Sequence, residues 1–479
     1  MHLSENEGIE GNTFVVTGGS GFVGSSLCLE LVRRGAREVR SLDLRANSPW
    51  IPRLRDRGVI CISGDVSKKE DVEKAFRGAN CVFHLASYGM SGKEMLQAAR
   101  IDEVNINGTC HVLDVCFEFG VQRLVYMSTY NVVFGGNEIV NGNELLNYFP
   151  VDAHVDPYSR SKSLAEQLVL KSNCRRSKKG GRTLYTCAIR SAAIYGPGEE
   201  RHLPRILSLV KSGLFRFKIG EETVRTDWVY VDNLVLALIL ASMGLLDDLP
   251  GKKGIPIASG QPYFISDGIP VNTFEFLHPL ILSLGYDSPS RKIKVSHALM
   301  LARFFFAVYS LLYPCLQHSW LPQPMLLPAE VHKVGVTHYF SILKARQELD
   351  YEPLVSPRQG MAETIAYWQE MKRRTVNSPP IYVWLFCIIG MLIVICSAVV
   401  PYPYLGPFEC VRTLSLFVFR SLLVVRLVAT VASSVHILEA GYAWYLARGV
   451  DPPNAKRWFW QTLVLGFFSL RYLLKKRVN

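Results

Sequence analysis

The segment Thr17-Gly18-Gly19-Ser20-Gly21-Phe22-Val23-Gly24 constrains the fold of this 479-residue chain more than any other. Ahead of it, Phe14, Val15 and Val16 read as a short buried strand. Behind it, the apolar pattern from Phe22 through Leu27, Leu29, Leu31 and Val32 reads as a helix. A strand-to-helix turn of this kind needs Gly18 for its backbone, Gly21 so that phosphates can come close, and Gly24 so that the helix packs tightly. The free amides and positive dipole end of the helix opening at Phe22 and Val23 then suit a pyrophosphate. A glycine-rich turn between two buried elements would look the same by itself, so the residues beyond the turn must decide between the two.

A second apolar run, Val39 to Leu44, places Asp43 about 20 residues past the loop, where an acidic side chain meets adenosine ribose hydroxyls. Asp43 would repel a 2′-phosphate, which favours NAD over NADP. Arg45 acts in the opposite direction, and a solvated surface carboxylate is the plain alternative for Asp43. Val59 to Ile62 suggests a third strand that brings Asp65 and Val66 near an adenine. Cys81 to Ser87 suggests a fourth, with Ala86 near the middle of the cofactor. Strands alternating with helices predict an α/β protein, a doubly wound parallel sheet of the Rossmann type.

Asp156-Pro157 predicts a helix start, which puts Tyr158 and Lys162 one turn apart on the same face. A free phenol, with a pKa near ~10, is a poor base at neutral pH, but a nearby ammonium favours its ionised form. Tyr158 could then exchange a proton with an alcohol or ketone while a nicotinamide exchanges hydride, with Lys162 also holding the nicotinamide ribose. The same four-residue spacing recurs at Tyr472 and Lys476 without any such context, so position and not spacing carries the argument.

With these residues the chain resembles the extended short-chain dehydrogenase/reductases, and among them the 3β-hydroxysteroid dehydrogenase family, over roughly residues 12 to 372. Further matching segments are Val104-Asn105-Ile106-Asn107-Gly108-Thr109, Arg190 with Tyr195-Gly196-Pro197-Gly198, Asp227-Trp228-Val229-Tyr230-Val231-Asp232-Asn233 and Thr337-His338-Tyr339-Phe340-Ser341. Ala86 to Gly92 and Ser259 to Asp267 are most similar to the family 42E branch. The resemblance implies a Ser or Thr that hydrogen-bonds the substrate oxygen five residues before the glycine matching Gly135, yet that position holds Tyr130. A one-residue shift at a strand end favours Thr129 as the third catalytic residue. Alternating side-chain direction favours Ser128 or Tyr130.

Hydrophobic residues make up 49% of the chain, and the excess over a soluble enzyme lies at the C-terminus. Ile381 to Val400 has no charge over 20 residues, long enough to cross a bilayer, and follows Lys372, Arg373 and Arg374. Residues 408 to 447 are also apolar but carry Arg412, Arg420, Arg426, His436 and Glu439, which predicts charges paired or snorkelling near the interfaces and not a simple span. The ending Lys475-Lys476-Arg477 is similar to a dibasic endoplasmic reticulum retrieval signal, and a plain anchor of positive charge explains it equally. From residue 381 onward 10 Lys/Arg face 3 Asp/Glu, so +7 of the net +12 belongs to this tail and answers to anionic lipid, not nucleic acid. Eleven cysteines show no zinc spacing, and Cys28, Cys61 and Cys187 lie in apolar runs that suit reduced thiols. With no apolar leader before the first strand, a secretory signal peptide is not expected.

The expected organisation is an NAD-binding domain over residues 11–200, a substrate lobe interleaved with the last sheet strands over 201–375, and a membrane-associated helical tail over 381–479. Leu203 to Leu214, Pro262 to Ser266 and Ala298 to Tyr313 are the expected linings of the substrate site. The resemblance implies oxidation or reduction of a secondary alcohol or ketone on a sterol or steroid, in a multi-pass protein of the endoplasmic reticulum with its catalytic domain cytoplasmic. Nucleotide-sugar chemistry and a catalytically silent NAD-binding membrane scaffold remain alternatives, and a homodimer is left open.

Overall fold

The computed structural model describes residues 6–177, 181–211, 217–247, 254–316, 324, 326–374, 376, 378–401, 404 and 409–478. The chain divides into two compact units, Met1–Tyr367 and Trp368–Asn479.

In the first unit seven strands run parallel: β1 (Thr13–Thr17), β2 (Glu38–Asp43), β3 (Ile60–Ser63), β4 (Cys81–His84), β5 (Arg123–Thr129), β6 (Thr183–Ser191) and β7 (Pro262–Ile265). Their order is β7-β6-β5-β4-β1-β2-β3, with a two-residue strand, Arg175–Arg176, added antiparallel to β6. The four strands expected from the sequence are all present. Chain direction across the sheet reverses between β1 and β4, which opens a crevice at their carboxyl ends where ligands of such sheets bind.

Period-two alternation explains both layers. Phe14 and Val16 of β1 face one side with Phe83, Val125 and Ile189, against Leu27 and Leu31 of α1 (Phe22–Arg33). Val15 faces the other with Val82 and Leu124, against α2 (Lys69–Phe76), α3 (Gly108–Phe119) and α4 (Pro157–Lys171). A further helix, α5 (Val231–Gly244), covers the first face with Leu234, Leu238 and Ile239. Each such side chain contributes about 1.5–3 kcal/mol on full burial.

Pro262–Ile265, expected to line the substrate site, instead forms the last strand of this sheet. Its backbone pairs with Ala188–Ser191, and Tyr263 and Phe264 are buried in different apolar clusters, so no face is left for a ligand. Past β6 the chain builds small parallel pairs, Ala193–Tyr195 with Trp228–Tyr230 and Phe217–Ile219 with Arg291–Ile293. The helices α6 (Val295–Leu316) and α7 (Pro328–Gly335) pack together through Ala298, Ala302 and Val331.

The second unit holds α8 (Ile381–Val399), α9 (Glu409–Phe419), α10 (Leu422–Val450), α11 (Ala455–Leu465) and α12 (Phe467–Val478). Among the described residues three helices are long and apolar enough to cross a membrane: α6, α8 and α10.

The turn between β1 and α1 is held by close backbone approach. Gly18 has φ +70°, and a Cβ on Gly24 would lie 2.2 Å from the Gly18 carbonyl oxygen, with no flexible side chain to yield. Gly24→Ala is therefore expected to destabilise the first unit by about 1–3 kcal/mol, the usual range for overpacking, read as a lower thermal midpoint of the detergent-purified protein.

Candidate active site

One cavity of about 1150 Å³ opens along the crevice, larger than the ~300–1,000 Å³ usual for a single small-molecule site. All the predicted site residues line it: Gly18, Gly21, Phe22, Val23, Gly24, Asp43, Asp65, Val66, Ala86, Thr129, Tyr158 and Lys162.

At one end lies the glycine turn. No side chain caps the first turn of α1, so its amides are left to a ligand, and the close approach at Gly18 and Gly24 makes the cradle that a pyrophosphate needs. Asp43 is fixed by two backbone amides, Ser20 N at 3.1 Å and Arg45 N at 2.9 Å. The Arg45 guanidinium donates to the Ser20 carbonyl, pairs with Glu200 at 3.2 Å and lies 3.8 Å from Asp43, so two carboxylates already engage it. Asp65 accepts from Arg100 at 2.7 Å and from Ser67 N. Although burial opposes it, these bonds hold its carboxyl below the usual range. The residues of this end fit a dinucleotide.

Farther along, α4 begins as the sequence predicts, with Asp156 accepting from Ser159 N at 2.7 Å and Pro157 at the first position. Tyr158 and Lys162 are both buried. Burial pushes the Tyr158 phenol up to about 12, opposed by the Arg201 guanidinium and a hydrogen bond with Ser87. Burial likewise brings the Lys162 ammonium down to about 7, despite Glu166. Lys162 donates to the Met127 carbonyl and stands 4.1 Å over the Tyr126 ring. Burial thus outweighs Arg201 and Ser87, the groups that favour the ionised phenol.

The three hydroxyls at the end of β5 differ sharply. Ser128 donates to Glu166, a carboxylate also bound by Arg190 at 2.6 Å and Tyr148 at 2.8 Å, with Arg190 and Glu166 2% and 0% exposed. Thr129 Oγ1 accepts from Asn131 N at 3.3 Å, which leaves its proton for a ligand. Tyr130 packs its ring against His338 and Phe340 and lines the cavity, and burial, then the charges of Asp227 and Asp156, push its phenol above the usual range.

Sequence reasoning gave no role to Ser87, Arg201 or Asp227. Asp227 lines the cavity and accepts from Phe340 N at 2.7 Å; burial and then Asp267 push its carboxyl up to about 7, against that hydrogen bond. Arg201 stood out in no pattern, and its place beside Tyr158 is a tertiary contact. The expected lining is met by Leu209 and by Ala298, Leu301 and Phe305 of α6, while residues 212–214 lie outside the described residues.

Residues 15–295 match the family described as 3-beta hydroxysteroid dehydrogenase/isomerase. The chain belongs to that family. The human short-chain dehydrogenase/reductase family 42E member 1 is 48% identical over 340 residues, covering 71% of this chain and 83% of that protein. A 3-beta-hydroxysteroid dehydrogenase of Mycolicibacterium neoaurum is 35% identical over 365 residues, covering 74% and 91%. An epimerase of Methanothermobacter thermautotrophicus has the same fold, with TM-score 0.57 at 22% identity over 76% of this chain and 94% of that one. Residues 382–475 match Transmembrane protein 254, so this family member joins an NAD(P)-binding Rossmann fold to a distinct apolar helical region.

Glu166→Gln removes one partner of a pair with no access to water and is expected to cost about 3–5 kcal/mol, measured by denaturant unfolding. Lys162 gives a pH signature. Because its folded pKa lies below its unfolded value, the penalty for burying the ammonium is full below about 7 and is relieved as pH rises toward the unfolded value near ~10.4. From pH 7 to 9 the stability of the wild-type protein is expected to rise relative to Lys162→Met, read as a difference in thermal midpoint. A constant difference would contradict the buried lysine.

Proposed function

We propose that the protein is an NAD-dependent oxidoreductase acting on a secondary alcohol or ketone of a sterol or steroid. The observation that carries this reading is the convergence of Tyr158, Lys162 and the glycine cradle on one cavity. NAD, when bound, accepts or returns the hydride.

The chain's own residues do the rest. The uncapped amides at Phe22 and Val23 hold the pyrophosphate, and Asp43 holds the adenosine ribose. The engagement of Arg45 by Asp43 and Glu200 leaves it poorly placed to serve a 2′-phosphate, which favours NAD. The phenol of Tyr158 takes the alcohol proton in oxidation and returns it in reduction. The positive charge of Arg201 and the hydroxyl of Ser87 both ease the ionisation that burial opposes. Lys162 is one turn away, fixed by the Met127 carbonyl. The substrate oxygen is held by Thr129, whose proton is available, with Tyr130 beside it; Ser128 is committed to Glu166.

A lipophilic substrate suits Met95, Ile206, Leu209, Leu277, Leu301 and Phe305, which line the cavity together with charged residues that include Arg201, Arg205, Glu330 and Lys333. The outer face of α6 exposes Met300, Phe304 and Leu311, a strip that suits a lipid surface as the source of such a substrate.

The test is to incubate detergent-purified protein with NAD and a panel of sterols and steroids, following NADH and product mass. Tyr158→Phe is expected to lower kcat by about 10²–10⁴-fold while NAD still binds. Unchanged turnover overturns the mechanism. Asp43→Ala is expected to raise KM for NAD and narrow its advantage over NADP; an unaltered cofactor preference would remove Asp43 from the site.

A further inference from the structure

The chain enters the helical tail and leaves it at one point. Lys476, near the end of α12, donates to the Arg373 carbonyl at 2.6 Å and to Asp451 at 2.7 Å. Asp451 ends α10 and also accepts from Trp458 Nε1, early in α11, at 3.0 Å. Arg373, eight residues before α8, therefore lies at one level with the end of α10, the start of α11 and the end of α12.

The opposite level is marked as clearly. Arg426, near the start of α10, donates to the Ala398 carbonyl at the end of α8, and Ala398, Val425 and Ala429 share a cluster with Val394. Thus α8 and α10 run antiparallel. With 19 residues α8 extends about 28 Å, close to the ~30 Å hydrocarbon thickness of a bilayer. By contrast α11 and α12, with 11 and 12 residues, reach only about 17 and 18 Å.

What α11 does at its far end is decisive. Leu465 packs on Val383 and Cys387, within two turns of the start of α8, and the Leu463 carbonyl meets His436 Nδ1 at 2.9 Å. There the chain reverses at Gly466, φ +55°, where a Cβ would lie 2.8 Å from Glu439 Oε2 and 3.1 Å from His436 Nε2. Glu439 and His436 accordingly lie near the level at which α8 begins, within reach of headgroups and not at mid-bilayer. Exposed Tyr382, Tyr442, Trp444, Tyr445 and Trp460 gather toward that level, as interfacial aromatics do.

We infer that the tail crosses the bilayer twice, through α8 and α10, and that α11 and α12 dip into the leaflet where α8 enters and return to the same face. Charge agrees with this. The face where α8 enters carries ten Lys/Arg, from Lys372–Arg374 and from Arg448 onward, whereas the other carries three, Arg412, Arg420 and Arg426. Exposed Arg448, Lys456, Arg457 and Lys475 rim the dipping pair, so its partner is a leaflet with anionic headgroups.

The test translates the full chain into sealed microsomes with a spacer-flanked Asn-Ser-Thr glycosylation acceptor, either inserted at 402–408 or appended after Asn479. The expected result is glycosylation of the first and not the second, with an appended C-terminal tag digested by external protease without detergent. A glycosylated or protease-protected C-terminus overturns the inference, since a third crossing is then required, and so does an unmodified acceptor at 402–408. The appended variants leave every residue of the tail intact, so failure of the insertion to fold does not spare the inference from the C-terminal result.

Discussion

An ion pair closed to water, Glu166 with Arg190, holds together the part of the sheet that borders the cavity. Glu166 lies on α4, one turn beyond Lys162, and Arg190 lies on β6; the same carboxylate takes the hydroxyl of Ser128 from β5 and of Tyr148 from the connection between them. Two strands and the helix that bears Tyr158 are thereby fixed in register by one group. Such a pair adds little net stability over well-packed apolar residues, but its geometry admits few alternatives. The position of the phenol relative to the glycine turn follows from that restriction.

Much of this was legible in the sequence because it depends on local chemistry. The strands around Val15, Leu42 and Val82 follow from short apolar runs, the turn from glycines whose missing side chains make room for backbone, and the start of α4 from Asp156-Pro157. The rest depended on residues distant in the chain. Ser128, Thr129 and Tyr130 all line the cavity but meet different partners: Glu166 for Ser128, the Asn131 amide for Thr129, and His338 and Phe340 around Tyr130. Pro262 to Ser266, an expected lining, is a strand because of a partner that local sequence does not show, β6, over 70 residues earlier.

The protonation of the central pair has a different physical origin from the one that spacing suggests. One helical turn between a lysine and a phenol would lower the phenol's pKa if both were solvated. Inside the protein, loss of water acts more strongly on each, so both Tyr158 and Lys162 are pushed toward their uncharged forms. Near pH 7 the phenol is therefore uncharged and the lysine about half charged. Asp227, displaced to about 7 in the same cavity, is a second group whose charge is set by its surroundings.

The fastening of Lys476 to Asp451 and the Arg373 carbonyl also has a bearing on how the protein is made. That lysine lies 25 residues after Asp451 and 103 after Arg373, so it is synthesised later than all of α8, α10 and α11. The apolar pair of long helices is therefore made first, and the clasp closes only once nearly all of α12 has followed.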